Sequence, residues 1–337
     1  MEETKEWLID APDSQENEKI DVIIPVYKPD GKFRQLIERL VKQSRKPNTI
    51  FLLHTLEEPA DSAAAISSRE AIDFVKSLKT EDCNIHYTAV KKADFDHGGT
   101  RNLGASLSNA AFVVFMTQDA VPADSHLIEN LIVPFKEKAV AAAYARQLPN
   151  PKSGIIESYT REFNYPLESY LKSEKDLPIL GIKTYFCSNV CAVYRKKVYE
   201  ELGGFVLKTI FNEDMIMAAG IIRAGYSIAY QADARVYHSH VYNYRQQFKR
   251  NFDLAVSQEQ YREIFKAVKS ENEGIKLVKR TLNYLCKEGK YYLIPDLILQ
   301  SAFKYFGYKA GRNFKKLPLE FIKKLSMNPG YWEDDIK

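Results

Sequence analysis

Four short stretches hold the side chains that can do chemistry. In FVVFMTQDAVP, residues 112–122, an apolar run ends at Thr117-Gln118-Asp119, and a proline follows three residues after the acid. A buried parallel strand delivers such a carboxylate into a cleft at the sheet edge, where it can hold a divalent cation; the same residue can equally cap a turn. Glu213 and Asp214 stand directly before the apolar run MIMAAGIIRAG. Adjacent side chains point in different directions, so two acids can take two roles; helix capping is the plain alternative. His238-Ser239-His240 closes an extended stretch. Residues two apart on a strand share a side, so both rings suit one metal or phosphate site, or are two surface histidines. The fourth stretch is DFDHGGTRNLGASLSNA. Here Asp96 to Thr100 form a loop that Thr100 or its neighbours can cap into a helix. Gly98 and Gly99 permit close backbone approach to a ligand, and the helix start favours an anion. Arg101 is placed to meet diphosphate oxygens or to pair with Asp96 or Asp119; a capped helix with a surface arginine is the other reading. The glycine spacing matches neither a Walker phosphate loop nor a Rossmann fingerprint.

The elements that must position these groups alternate strand and helix. Val22 to Ile24 reads as a buried strand closed by Pro25, which lacks an amide donor. Phe33, Leu36, Ile37, Leu40 and Val41 recur at helical spacing through residues 32–43, and Thr49 to His54 is the second strand. Strand, helix, strand predicts a parallel unit with its loops on one face of a sheet. Further strands are expected at 84–90, 112–116, 140–145, 186–194 and 226–230. Helices are expected at 63–79, Leu127 to Phe135, Arg195 to Leu202 and after Asp214. Residues 149–184, aromatic and broken by four prolines, read as a mobile cover, an acceptor wall or an irregular insertion.

The chain divides into a polar leader at 1–18, an α/β domain at 19–250 and a helical region at 251–337. In that last part apolar helical stretches are laced with lysine, as in YYLIPDLILQSAFKYFGYKAGRNFKKL. A basic amphipathic helix can lie on an anionic membrane surface, its lysine stems covering apolar area. Tyr331 and Trp332 are expected to pack back onto the fold. The composition is globular, with 45% hydrophobic and 27% charged residues. The net charge of +4 is too mild to argue for nucleic acid. The four cysteines form no metal or redox spacing and read as reduced thiols of a cytosolic protein. No window has a signal peptide's pattern or a membrane-spanning run.

Five motifs carry a family likeness: IDVIIPVYKPDGKFRQLIERLVKQS, DFDHGGTRNLGASLSNAAFVVFMTQDAVP, SNVCAVYRKKVYEELGGF, NEDMIMAAGIIRAG and RVYHSH. In this order they resemble the family 2 glycosyltransferases over about residues 19–250. The closer likeness is to bacterial rhamnosyltransferases that build cell-surface polysaccharides, and the tail LPLEFIKKLSMNPGYW is similar to that subgroup too. The resemblance implies a GT-A type nucleotide-sugar fold: an α/β architecture with a mixed, mainly parallel sheet, helices on both faces and C-terminal helices.

It also implies an inverting transfer and a divalent cation, Mg2+ or Mn2+. The family's Asp-x-Asp motif is Thr117-Gln118-Asp119 here, so Asp119 alone supplies the usual carboxylate while Gln118 is left to touch the donor. The late metal-binding histidine falls on His238, with His240 as the alternative. The acid-rich nucleotide loop is replaced by Leu53-His54-Thr55-Leu56-Glu57-Glu58. Pro25, Tyr27 and Asp96 are therefore the candidates for the nucleotide wall: Tyr27 beside the base, Asp96 on its edge or holding Arg101. Asp214 matches the position of the general base, with Glu213 binding acceptor hydroxyls or holding Asp214. For this subgroup the implied donor is dTDP-β-L-rhamnose; nothing in the residues fixes the acceptor, and the basic C-terminal helices point to a growing, lipid-linked surface glycan at the inner face of the cell membrane. A UDP-hexose donor and a scaffold protein that has lost catalysis are the alternatives.

Overall fold

The computed structural model describes residues 18–56, 62–78, 83–150, 153–240, 242–266 and 271–333. The leader before Glu18 and the Glu57-Glu58 pair lie outside the described residues.

Nine strands form one sheet: β1 (Ile20–Val26), β2 (Thr49–Thr55), β3 (Asn84–Val90), β4 (Phe112–Met116), β5 (Val121–Pro122), β6 (Val140–Leu148), β7 (Tyr170–Lys172), β8 (Cys191–Arg195) and β9 (Ser227–Tyr237). Their order is β3-β2-β1-β4-β8-β6-β9-β5, with β7 also on β9. The first four in that order are parallel, as the strand–helix–strand spacing requires. β8 runs antiparallel between β4 and β6, β6 and β9 are parallel, and β5 and β7 run antiparallel to β9. Central strands buried on both faces read as continuous apolar runs. All five residues of β4 are buried: Phe112, Val114 and Met116 pack on one side of the sheet, Val113 and Phe115 on the other.

Helices cover both faces. α1 (Gly31–Leu40), α2 (Ala63–Ser77) and α4 (Leu127–Ile132) press their apolar stripes on one face; α3 (His97–Leu107), α7 (Lys196–Glu201) and α8 (Glu213–Arg223) cover the other. α1 starts where the Asp30 carboxylate accepts from the amides of Lys32 and Phe33. The β1 ladder to β2 runs through Pro25 to Val26, so Pro25 does not close it; the ladder to β4 stops earlier, at Ile23.

Residues 149–184 are not irregular throughout. They contain α5 (Ile155–Asn164), β7 and the short α6 (Leu177–Leu180). β7 adds to β9, and Tyr230 and Ala232 of β9 donate hydrogen bonds to the Pro166 carbonyl and Ser169 Oγ. The strand expected at 186–194 begins only at Cys191. Ser188 Oγ accepts from the Val190 amide and Asn189 Oδ1 from the Tyr194 hydroxyl, local bonds that favour a turn over a ladder. The two extended stretches around 226–240 are one strand, bent by a register shift that sets Ala145 opposite Gln231 but Arg146 opposite Arg235. Beyond the bend, Val236 and Tyr237 pair with β5.

The boundary expected at 250/251 falls inside α9 (Tyr244–Gln260), which a reciprocal capping box between Asn243 and Gln246 starts. After α10 (Arg262–Phe265) come α11 (Glu271–Lys287), α12 (Ile294–Arg312) and α13 (Leu319–Leu325). α12 lies directly on α9: a Cβ at Gly307 would stand 2.2 Å from the Phe248 carbonyl oxygen, and one at Gly311 2.3 Å from that of Phe252. Phe252, Val256, Phe314, Ile322 and Trp332 share one core with Ile210. Tyr331 donates to the Lys208 carbonyl, so the tail does return to the fold.

Lys172 of β7 is fully buried, its Nζ facing the Tyr144 ring and bonded to the carbonyls of Lys183 and Phe186. Burial pulls its pKa down from 10.5 to about 7. Between those values the unfolded chain binds a proton that the folded chain does not, so this lysine adds stability as pH rises through the window. Urea melts of wild type and Lys172→Met should therefore diverge in favour of wild type from pH 7 to 9.5. Parallel pH dependences would reject a neutral buried amine.

Candidate active site

β4 and β9 bring the acid and the histidines together. After β4 the chain turns at Thr117, whose carbonyl accepts from the Ala120 amide, and β5 immediately pairs with the end of β9. Asp119 Oδ2 thereby stands 3.6 Å from His238 Nε2 and 3.3 Å from His240 Nε2, and the two ring nitrogens are 3.1 Å apart. The sequence leaves open which histidine joins Asp119; the structure gathers both. Among the described residues this is the one group of three such ligating side chains, with all ligand atoms within 4.8 Å of one another.

The chemistry of this donor set fits a cation. Burial is the main force pulling His238 down to about 3, and it also lowers His240, so both imidazoles are neutral, the ligating form. The Nδ1 atom of His238 faces Gln147 Oε1 at 3.1 Å, which leaves Nε2 turned toward Asp119. Two nitrogens and one carboxylate suit Mn2+ better than Mg2+, which prefers all-oxygen surroundings.

The two acids at the start of α8 have separate partners. Asn212 precedes them with φ of 66°, the left-handed conformation that asparagine tolerates. Asp214 accepts from the Asn189 amide at 3.3 Å and the Met215 amide at 2.7 Å. Burial, and after it the Glu213 charge, raise its carboxyl to about 7. Glu213 instead turns to Arg101, 3.3 Å away, in a pair that is almost fully enclosed.

That pair corrects the expectation for Arg101, which meets neither Asp96 nor Asp119 here. Its other bond runs from Nη1 to the His97 carbonyl. Asp96 caps α3, accepting from Gly99, and its second oxygen accepts from the Lys208 amide; neither oxygen holds Arg101. Gly98 does approach backbone closely, but that of Val206: a Cβ there would lie 2.1 Å from its carbonyl oxygen. Gln118 exchanges two 2.7 Å bonds with the backbone N–H and C=O of Tyr27, so its amide braces the β1 end against the β4 end. Tyr27 and Pro25 are half-buried beside it.

Several working residues escaped the sequence reading. Ser188 and Asn189 join the two centres: Asn189 touches Asp214, Ser188 Oγ accepts from Gln147 Nε2, and Gln147 holds His238. Asn102 clamps the Phe205 backbone through both ends of its amide. The polar Ser-Asn pair inside an apolar stretch was the available signal for the turn. Gln147 carried none, since the sheet register alone places it.

A model of glycosyl transferase family 2 matches residues 21–203. The O-antigen chain rhamnosyltransferase RfbN of Salmonella typhimurium is 37% identical over 326 residues, covering 94% of this chain and 96% of the relative. WbaN of Salmonella anatum, also an O-antigen chain rhamnosyltransferase, is 36% identical over 93% of this chain and 95% of its own. Among solved structures, the mannosyltransferase PcManGT of Pyrobaculum calidifontis, in complex with GDP-Man and Mn2+, superposes with a TM-score of 0.59 at 12% identity. That match covers 91% of this chain and 90% of the other, and it bears on the fold alone.

Proposed function

This chain belongs to glycosyl transferase family 2, and from that premise we propose that it moves L-rhamnose from dTDP-β-L-rhamnose to a hydroxyl of a surface glycan, with inversion. The observation that carries the reading is a raised carboxyl, Asp214, joined through one turn to a cation-ready cluster at the carboxyl end of β4. The curated relatives, both rhamnosyltransferases, support the sugar.

Asp214 acts as general base. Its carboxylate takes the acceptor hydroxyl proton as that oxygen attacks the anomeric carbon; the bond to the nucleoside diphosphate breaks on the opposite face, and no protein nucleophile is needed. A base with a pKa near the working pH balances ionised fraction against proton affinity. Arg101 neutralises Glu213, which keeps the second acid from pushing Asp214 still higher. Asp119, His238 and His240 would hold Mn2+, which supplies positive charge to the departing diphosphate. Tyr27 and Pro25, braced by Gln118, form the wall for the nucleotide.

Titration calorimetry with dTDP-rhamnose, UDP-sugars and GDP-sugars, each with and without Mn2+, tests the donor. Selective, metal-enhanced binding of dTDP-rhamnose is the expected result. Preference for a UDP-sugar would keep the mechanism but overturn the rhamnosyl assignment, and no binding by any donor would favour a scaffold. For the base, kcat/KM should fall with an apparent pKa of about 7 as pH is lowered, because protonation removes the basic oxygen. Asp214→Asn should lower turnover by about 10²–10⁴-fold above pH 7, where the wild-type carboxylate is ionised, while keeping donor affinity, and the gap should narrow as pH falls. Near-normal turnover by that variant would reject the role.

The acceptor we propose is lipid-linked, met at the cytoplasmic leaflet. No helix among the described residues is long and apolar enough to cross a membrane. α12 and the turn before it nevertheless expose Tyr291, Ile298 and Tyr305 in one column and Tyr292, Leu299 and Phe306 in the next, each seven residues apart. Residues 271–333 hold twelve Lys and Arg against six Asp and Glu. An aromatic face within a basic segment suits anionic head groups. In flotation assays the chain should bind vesicles containing phosphatidylglycerol, and Ile298→Glu with Tyr305→Glu should release it. Undiminished binding by the double variant would rule this face out; a shift from dimer to monomer instead would make it a self-association surface.

A further inference from the structure

α5 lies in the segment read as a mobile cover, an acceptor wall or an irregular insertion, and it reaches the histidine cluster through two side chains. Arg161 Nη1 donates to Gln147 Oε1 at 2.5 Å, and Arg161 Nε donates to Glu157 Oε1 at 2.8 Å, one turn back on the same helix. Gln147 Oε1 also faces His238 Nδ1 at 3.1 Å, while Gln147 Nε2 donates to Ser188 Oγ at 3.0 Å.

The donor and acceptor roles in this chain are forced. A guanidinium has five N–H groups and no acceptor, so the Gln147 atom it meets must be the carbonyl oxygen. That oxygen can only accept, so the hydrogen between it and the imidazole sits on His238 Nδ1. A neutral imidazole carries one hydrogen, which leaves a bare lone pair on Nε2, the atom turned toward Asp119 and His240. Without Arg161, the Gln147 amide could rotate, present its N–H2 to Nδ1 and leave the hydrogen on Nε2, where it would block a ligand position.

We propose that Arg161, acting through Gln147, is the positioning residue that fixes the tautomer of His238 and so makes Nε2 available to a divalent cation. The inference rests on reading Asp119, His238 and His240 as a cation site. Arg161 is itself held in place from the C-terminal helices. Tyr159 stacks on Tyr284 of α11 with ring centroids 4.3 Å apart, and Ile156 packs with Leu285 and Leu297. Outer partners of metal-bound histidines ordinarily change metal affinity by about 10–100-fold when removed.

The test uses the full chain. Mn2+ titration calorimetry should give a dissociation constant about 10–100-fold weaker for Arg161→Met than for wild type. Arg161→Lys, which keeps a donor and no acceptor, should recover much of the loss. A second measurement needs no metal: in histidine-labelled protein, nitrogen NMR should show His238 as the Nδ1–H tautomer in wild type and mixed or Nε2–H in Arg161→Met. His238→Ala assigns the signal. Arg161 lies on the outer side of the cluster, and unchanged thermal melting of the variant would separate positioning from folding. Equal Mn2+ affinity with an unchanged tautomer in Arg161→Met would overturn the relay alone. Failure of wild type to bind Mn2+ would overturn the cation reading beneath it, and the relay with it.

Discussion

The turn Ser188-Asn189-Val190 is the constraint on which the site depends. The Val190 carbonyl accepts from the Thr117 amide, at the end of the strand that delivers Asp119. The Asn189 amide donates to Asp214 at the head of α8, and Ser188 Oγ takes the free end of the Gln147 amide. Three elements distant in sequence are thus registered by one short piece of backbone entering an antiparallel strand. Because β8 lies between β4 and β6, any shift of that turn would move Asp214 and the histidine cluster together.

Burial then sets the protonation states. The cleft raises Asp214 and lowers His238 and His240, each time against the charged form. A carboxyl poised near neutrality and two uncharged imidazoles are what a proton acceptor and a pair of cation ligands respectively need. The enclosed Arg101–Glu213 pair keeps a second acid beside Asp214 without leaving a bare charge in the interior.

Much of this was legible in the residues. The apolar runs of β1, β2 and β4 and the spacing of Phe33, Leu36, Ile37 and Leu40 gave a parallel half-sheet under helices, because continuous burial and a helical period write themselves directly into composition. Asp119, Asp214, His238 and His240 stood out by type and position. What the sequence could not convey was pairing between distant partners. Arg101 had two acids within reach of a reader, Asp96 and Asp119, and pairs instead with a third, Glu213, because α3 and α8 start side by side. Gln118 looked like a ligand contact, yet its amide matches a backbone N–H and C=O in the neighbouring loop. The fragmentation of residues 149–184 by prolines concealed α5 and β7, which pack against α11 and pair with β9 respectively, contacts that no local pattern announces.

The seam between α9 and α12 has a mechanical consequence. With no side chain at Gly307 or Gly311, the two helices meet backbone to backbone, and a shift along the axis by one residue would drive a neighbouring side chain into the Phe248 or Phe252 carbonyl. Such a contact behaves as a detent: it holds at one setting and resists sliding. α12 is therefore a fixed bracket on α9, whose register the two glycines set as a latch sets a sliding bolt.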